Sequence, residues 1–373
     1  MSTTAAGIGT MVIGGGFALA FVFGLVAAKA NFCTMGALSD IVNMGHWGRM
    51  RMWMLTIAVA VIGTVALSIT GQVDLAKSVA QRPVLPWLSL LVGGLVFGVG
   101  MTLAGGCANK NLVRLGGGSV RSLVVLVFMG VASYMTLKGL FGQWRASLLD
   151  PVNLNLGERG WPDQSLGTAL AKATGMAPAG ALLAMAAVLS IGLLVFAFMD
   201  ARFRRNGLQI AGGVLLGLLV AAGWYLTGHL GYGENPETLE TVFFATNTRT
   251  LESLSFVAPL AYSLELLMMW TDASLHATFG IASVVGVVAG SAAYALATGT
   301  FHWEGFASMD DLRNQLLGAV LMGFGGVTAL GCTVGQGLSG VSTLAIGSFI
   351  AVAGIMAGSV AMLKYILWKA EQD

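Results

Sequence analysis

"GGLVFGVGMTLAGGC" (residues 93–107) and "GAVLMGFGGVTALGC" (residues 318–332) are two apolar stretches of one chain that align without a gap. Gly93, Gly98, Gly100, Gly106 and Cys107 fall on Gly318, Gly323, Gly325, Gly331 and Cys332, a constant offset of 332 − 107 = 225. Farther back, "NFCTMGALSD" (31–40) faces "SFVAPLAYSL" (255–264) at an offset of 224, which sets Phe32 on Phe256 and Cys33 on Val257. The pairing reads as two homologous halves, 1–200 and 207–373, joined near 200–206. An odd number of membrane crossings in the first half inverts the second. Inverted repeats with interrupted helices are an arrangement in which small solutes bind at the repeat interface, near the membrane midplane.

Composition supports a chain that lives in lipid. Of 373 residues 56% are hydrophobic and only 10% charged, with a mean hydropathy of +0.81, against about 25% charge in soluble domains. The expected fold class is an all-α polytopic membrane protein in one integral domain. At about 20 residues per crossing, spans are expected near 9–29, 52–72, 84–104, 119–139, 179–199, 207–229, 277–298, 315–331 and 341–366. Two shorter apolar stretches, 32–45 and 256–270, are interrupted by Gly, Pro and Ser, and suit half-helices that enter the membrane and return. The N-terminal apolar run lacks a preceding basic region and a small-residue cleavage motif, so it reads as a retained first span. A net charge of +2 with scattered basic residues excludes a nucleic-acid partner and a polybasic membrane anchor. Membrane lipid is the expected surround.

Lys and Arg placement sets the expected orientation, because basic loops stay in the cytoplasm. "ARFRRN" (201–206) is the clearest such loop, and the loop that follows the next span, 230–254, holds four glutamates and one arginine. Arg49, Arg51, Lys110, Arg114, Arg121, Lys364 and Lys369 then fall inside. The N-terminus is expected outside, in the periplasm, and the C-terminus in the cytoplasm. Trp47, Trp53, Trp144, Trp161, Trp303 and Trp368 read as anchors at the membrane interface.

The cysteines carry the functional signal. Cys33, Cys107 and Cys332 each lie in a glycine-bearing break: "NFCTMG", "GGCANKN" and "GCTVGQGLSG". Three cannot all pair and none forms C-x-x-C, so neither a disulfide framework nor a zinc ribbon is expected. A short helix beginning just after such a break aims free N–H groups at the membrane interior, and helix N-termini attract anions. Lys110 and Arg114 add positive charge beside Cys107, or anchor the loop at the interface. Asn109 belongs to the same cluster, and Gln336 with Ser339 offers polar groups at the third break. Asp40, Glu265 and Asp272 adjoin the half-helices and read as loop-edge carboxylates. His46, His229, His276 and His302 show no metal-ligand spacing. No catalytic residue, metal or cofactor is expected.

At these residues the chain resembles the YeeE/YedE family of bacterial sulfur transporters: "ANFCTMGALSD", "GGCANKNLVRLGGGSVRS" and "GCTVGQGLSGVSTLAIGS" occur in that order across nearly its whole length. The resemblance implies an hourglass of inverted halves in the bacterial inner membrane, with about nine spans and half-helices meeting at a waist. It implies a relay of cysteines that hands thiosulfate, or a related sulfur-containing anion, inward from Cys332 to Cys107 to Cys33; burial is expected to keep these thiols neutral. Asn109, Lys110 and Gln336 are the companion substrate-binding candidates. It also implies a small cytoplasmic sulfur-carrier partner of the TusA kind. The run Asn109-Lys110-Asn111 stands where many members carry a small residue followed by glycine, so another sulfur or selenium oxyanion is an alternative cargo. A membrane sulfurtransferase working through a cysteine persulfide is the alternative activity, and a structural subunit whose cysteines only pack is the third reading.

Overall fold

The computed structural model describes residues 5–234, 239–306 and 308–372; residues 1–4 of the expected first half and 235–238 of the acidic loop lie outside them. Inside a bilayer the backbone has no water to bond, and helices satisfy it within each segment. In chain order these are α1 (Ala5–Lys29), α2 (Thr34–Met44), α3 (Gly48–Ile69), α4 (Trp87–Leu103), α5 (Ala108–Gly116), α6 (Val120–Lys138), α7 (Leu140–Trp144), α8 (Leu166–Thr174) and α9 (Pro178–Phe198). The second half continues with α10 (Ala201–Arg204), α11 (Gly207–Tyr225), α12 (Val257–Met268), α13 (Phe279–Ala297), α14 (Met309–Thr328) and α15 (Ile346–Ala370). Two short antiparallel ribbons sit in the connections: β1 (Val84–Leu85) pairs with β2 (Leu154–Asn155), and β3 (Tyr232–Glu234) with β4 (Thr241–Phe243). The protein is an all-α polytopic membrane protein.

Among the described residues, eight helical segments are long and apolar enough to cross a membrane. Two of them, Gly7–Met44 and Trp87–Gly116, take in a break and the half-helix beyond it. The expected span at 315–331 corresponds to α14, which starts earlier and whose opening stretch, Asp310 to Gln315, is polar. The short stretches fold as expected into half-helices α2 and α12. Gly45 closes α2 in a left-handed conformation (φ 64), which glycine adopts without steric cost.

Arg51 at the start of α3 bonds the carbonyl of Phe196 and lies 3.8 Å from Asp200 at the end of α9. Arg121 at the start of α6 bonds Glu304 at 2.8 Å. These groups mark one basic face of the bundle. The opposite face carries the ribbons, α7 and α8.

Gly93 and Gly100 meet each other's repeat mates at the centre. A Cβ on Gly93 would lie 2.9 Å from the Gly325 carbonyl, and one on Gly325 2.6 Å from the Gly93 carbonyl. Gly100 and Gly318 show the same exchange, at 2.7 and 2.6 Å. Residue i touching j′ while j touches i′ is the contact rule of a two-fold axis. The rule extends outward, for α1 packs on α13 and α11 on α3, while α4 packs on α15 and α14 on α6. Phe23 joins the halves through aromatic contacts to both Phe32 (6.4 Å) and Phe256 (5.8 Å), two rings that share one repeat position.

Two expectations need correction. Trp53 is no interface anchor: it is buried, its ring against Gly337 and its indole N–H without a hydrogen-bond partner. Asp40 and Glu265 are not loop-edge groups, being only 4% and 5% exposed. Asp40 takes both arms of Arg49 at 2.5 Å, and Glu265 accepts from Lys138 at 2.6 Å and from Tyr134 at 3.1 Å. The apolar half-helix around each carboxylate makes such a partner obligatory.

Candidate functional site

Each cysteine stands where a helix stops, and the local backbone explains why. After α1, Asn31 turns left-handed (φ 51) and Cys33 is extended at the N-cap of α2, its Sγ accepting the Gly36 N–H at 3.2 Å. After α4, Gly105 turns left-handed (φ 65) and Cys107 is extended at the head of α5. After α14 the left-handed residue is Leu330 (φ 57), one repeat offset from Gly105, where a side chain costs about 1–2 kcal/mol that glycine avoids. Cys332 follows, its Sγ accepting from the Gly335 N–H at 3.4 Å. The short helix expected beyond Cys332 is a π-helical turn, Gly335–Gly340.

The breaks converge. All three cysteines are free and buried. The Cys33 and Cys107 thiols are near enough to interact, and Cys107 also faces the hydroxyl of Thr333, the residue after Cys332. That hydroxyl has no hydrogen-bond partner, and neither does Oδ1 of buried Asn109. The half-helices α2 and α5 therefore begin at one buried waist, with the positive ends of their dipoles directed into it.

Lys110 and Arg114 hold this waist together on the basic side. The Lys110 stem lies over Gly106, and its Nζ donates to Asn31 Oδ1 at 2.6 Å, tying the second break to the first. Arg114 donates to the Gly105 carbonyl at 2.9 Å. Asn111 is spent on the carbonyls of Gly106 and Cys107 at 3.0 and 3.2 Å.

On the opposite face a cavity of about 210 Å³ reaches the third break, where Gly331, Gly335 and Gln336 line it. Arg145, Glu252, Ser255 and Tyr262 face the same space. Gln336 does not turn its donor toward this vestibule: Nε2 is committed to the Ala329 carbonyl at 2.8 Å, and Oε1 is the unpartnered atom. The Ser339 hydroxyl likewise donates to the Leu254 carbonyl at 2.7 Å. Arg145 is paired with Asp150 at 3.2 Å.

The structure thus brings Cys33, Cys107, Asn109 and Lys110 together beside Thr333, with Cys332 and Gln336 on the vestibule side. Sequence reading missed Thr333, Glu252 and Arg145. Thr333 had a signal in its adjacency to Cys332, whereas Glu252 and Arg145 lie in polar connections where nothing distinguishes them from solvated charges. The four histidines are exposed, and the described residues hold no cluster of three or more metal-ligating side chains.

Residues 29–361 match the sequence profile of the family described as sulphur transport. The chain belongs to this sulphur transport family, also known as YeeE/YedE. Among its relatives, a thiosulfate transporter, TsuA, of Spirochaeta thermophila is 25% identical over 366 residues, covering 95% of this chain and 98% of the relative. The TsuA thiosulfate transporter of Escherichia coli is 24% identical over 344 residues, covering 85% of this chain and 84% of the relative. Membership in the sulphur transport family agrees with a membrane carrier rather than an enzyme.

Proposed function

We propose that the protein imports thiosulfate across the bacterial inner membrane, through a relay of three neutral cysteines. The halves 1–200 and 207–373 form an inverted, hourglass-shaped pair. The vestibule face is periplasmic and the basic face, with the C-terminus, cytoplasmic. The observation that carries this reading is the convergence of three cysteine-bearing breaks on one buried waist, with the vestibule on the Cys332 side and Lys110 and Arg114 on the other.

Thiosulfate is a dianion with a soft terminal sulfur. Neutral thiols donate weak S–H hydrogen bonds to it, and helix N-termini offset its charge. A thiolate would repel it. Several weak stations in series let an ion bind and still leave. Moving two negative charges inward against about 100 mV costs about 4.6 kcal/mol, at about 2.3 per charge, so uptake needs a compensating driving force. Delivery to a TusA-like carrier belongs to the same reading.

Purified protein in proteoliposomes should take up thiosulfate, and Cys107→Ala should abolish that uptake while the variant still elutes as a folded, monodisperse species. Undiminished uptake by Cys107→Ala would break the relay. A persistent one-sulfur adduct on any cysteine by mass spectrometry would favour the sulfurtransferase.

A further inference from the structure

One ionisable group in the vestibule has no part in the relay and stands against the charge of its cargo. Glu252 lines the cavity beside Gly335, Gln336 and Ser255, next to the break that holds Cys332. An ionised carboxylate there repels an anion arriving through a low-dielectric passage. Its partners are neutral: the Thr248 N–H at 2.8 Å and hydroxyl at 2.6 Å both donate to Oε1.

The surrounding charges are committed elsewhere. Arg145, from the segment after α7, faces the cavity but is held by Asp150. Lys138 on α6 is bound to Glu265 of α12 at 2.6 Å. Lys77 reaches the Tyr232 hydroxyl at 2.8 Å and lies 3.9 Å from Asp74. Arg249, on the same connection as Glu252, is exposed. From α12 the Tyr262 phenol faces Glu252. Among the described residues no Lys or Arg pairs with the Glu252 carboxylate. Burial favours its neutral form and pushes its titration up from the ordinary carboxylate value, against the pull of the Thr248 donors.

We propose that Glu252 is a proton-binding site that governs admission of the anion: ionised, it closes the vestibule to a dianion; protonated, it removes the repulsion and offers an O–H donor. This rests on the import reading above and adds to it a control by protons on the vestibule face alone.

The test is thiosulfate uptake by right-side-out membrane vesicles at external pH from about 5 to about 8, a range above the titration of a free carboxylate; thiosulfate itself stays a dianion throughout. Wild-type uptake should fall as external pH rises, by up to about tenfold per unit at the steepest, the limit for one proton. Glu252→Gln keeps Oε1 as the Thr248 acceptor and removes the titration, so its uptake should be independent of pH and match the wild type's acid value. Glu252→Asp retains a titrating group and should retain the slope. A Gln variant that keeps the wild-type profile, an Asp variant that loses it, or a profile that follows internal pH each overturns the proton site while leaving import standing. Absence of wild-type uptake at every pH overturns import itself.

Discussion

The half-helices α2 and α12 occupy the same repeat position and hold different chemistry. Each opens beside a buried phenylalanine, Phe32 or Phe256, and each carries a buried carboxylate paired with a cation, Asp40 with Arg49 and Glu265 with Lys138. Yet the residue after Phe32 is Cys33, the N-cap of α2, whereas the residue after Phe256 is Val257, the first of α12. Beside α2 stands Lys110; beside α12 lies a vestibule holding Glu252. The scaffold is duplicated and the chemistry is not. A symmetric frame surrounds one waist, and the two halves bring different residues to it.

The carboxylate pairs test the shared frame first, with the largest effect. Asp40→Ala strips a two-armed partner from Arg49, whose side chain is only 26% exposed, and should destabilise the protein by about 3 kcal/mol. Glu265→Ala leaves Lys138, which is 55% exposed and can recover water; a loss of about 1 kcal/mol is expected. Thermal unfolding in detergent measures both, and equal losses would erase the distinction. The cysteine exchange comes next. Cys33→Val copies the α12 residue into α2 and should reduce uptake about tenfold, the worth of one hydrogen bond to a charged group. Val257→Cys should leave uptake within about twofold. The lysine comes last: Lys110→Gln keeps a donor for Asn31 and removes the charge. It should raise the KM for thiosulfate several-fold, the scale of one screened charge, with Lys110→Arg nearer the wild type. An unchanged KM in Lys110→Gln would assign that lysine to tying the breaks alone.

Much of this was legible in the sequence because membrane helices write themselves in composition, and because the repeat is carried by glycines. Gly93, Gly100, Gly318 and Gly325 mark close backbone approach, and their offset announced the repeat; which of them would meet came only from the structure. The breaks were legible for a related reason, since a cysteine beside glycine interrupts an otherwise uniform apolar run. What sequence could not give was the fate of polar side chains. Whether Gln336 offers a donor or spends it depends on where the Ala329 carbonyl points. Trp53 looked like an interface residue because it lies near the head of a span, and only packing against Gly337 shows it to be internal. Asp40 and Glu265 were separated in sequence from the partners that make their burial tolerable, by nine residues in one case and by 127 in the other.

The interlocked glycines carry a kinetic consequence. Where Gly93 abuts Gly325 and Gly100 abuts Gly318, main chain rests on main chain with no side chain between them to change rotamer. Swinging one half against the other would pull apart both of these contacts and open voids that nothing nearby can fill. Uptake by the proposed route should therefore proceed by movements of the ion and of a few side chains. Its turnover should then carry a small activation enthalpy and respond weakly to the thickness and fluidity of the surrounding lipid.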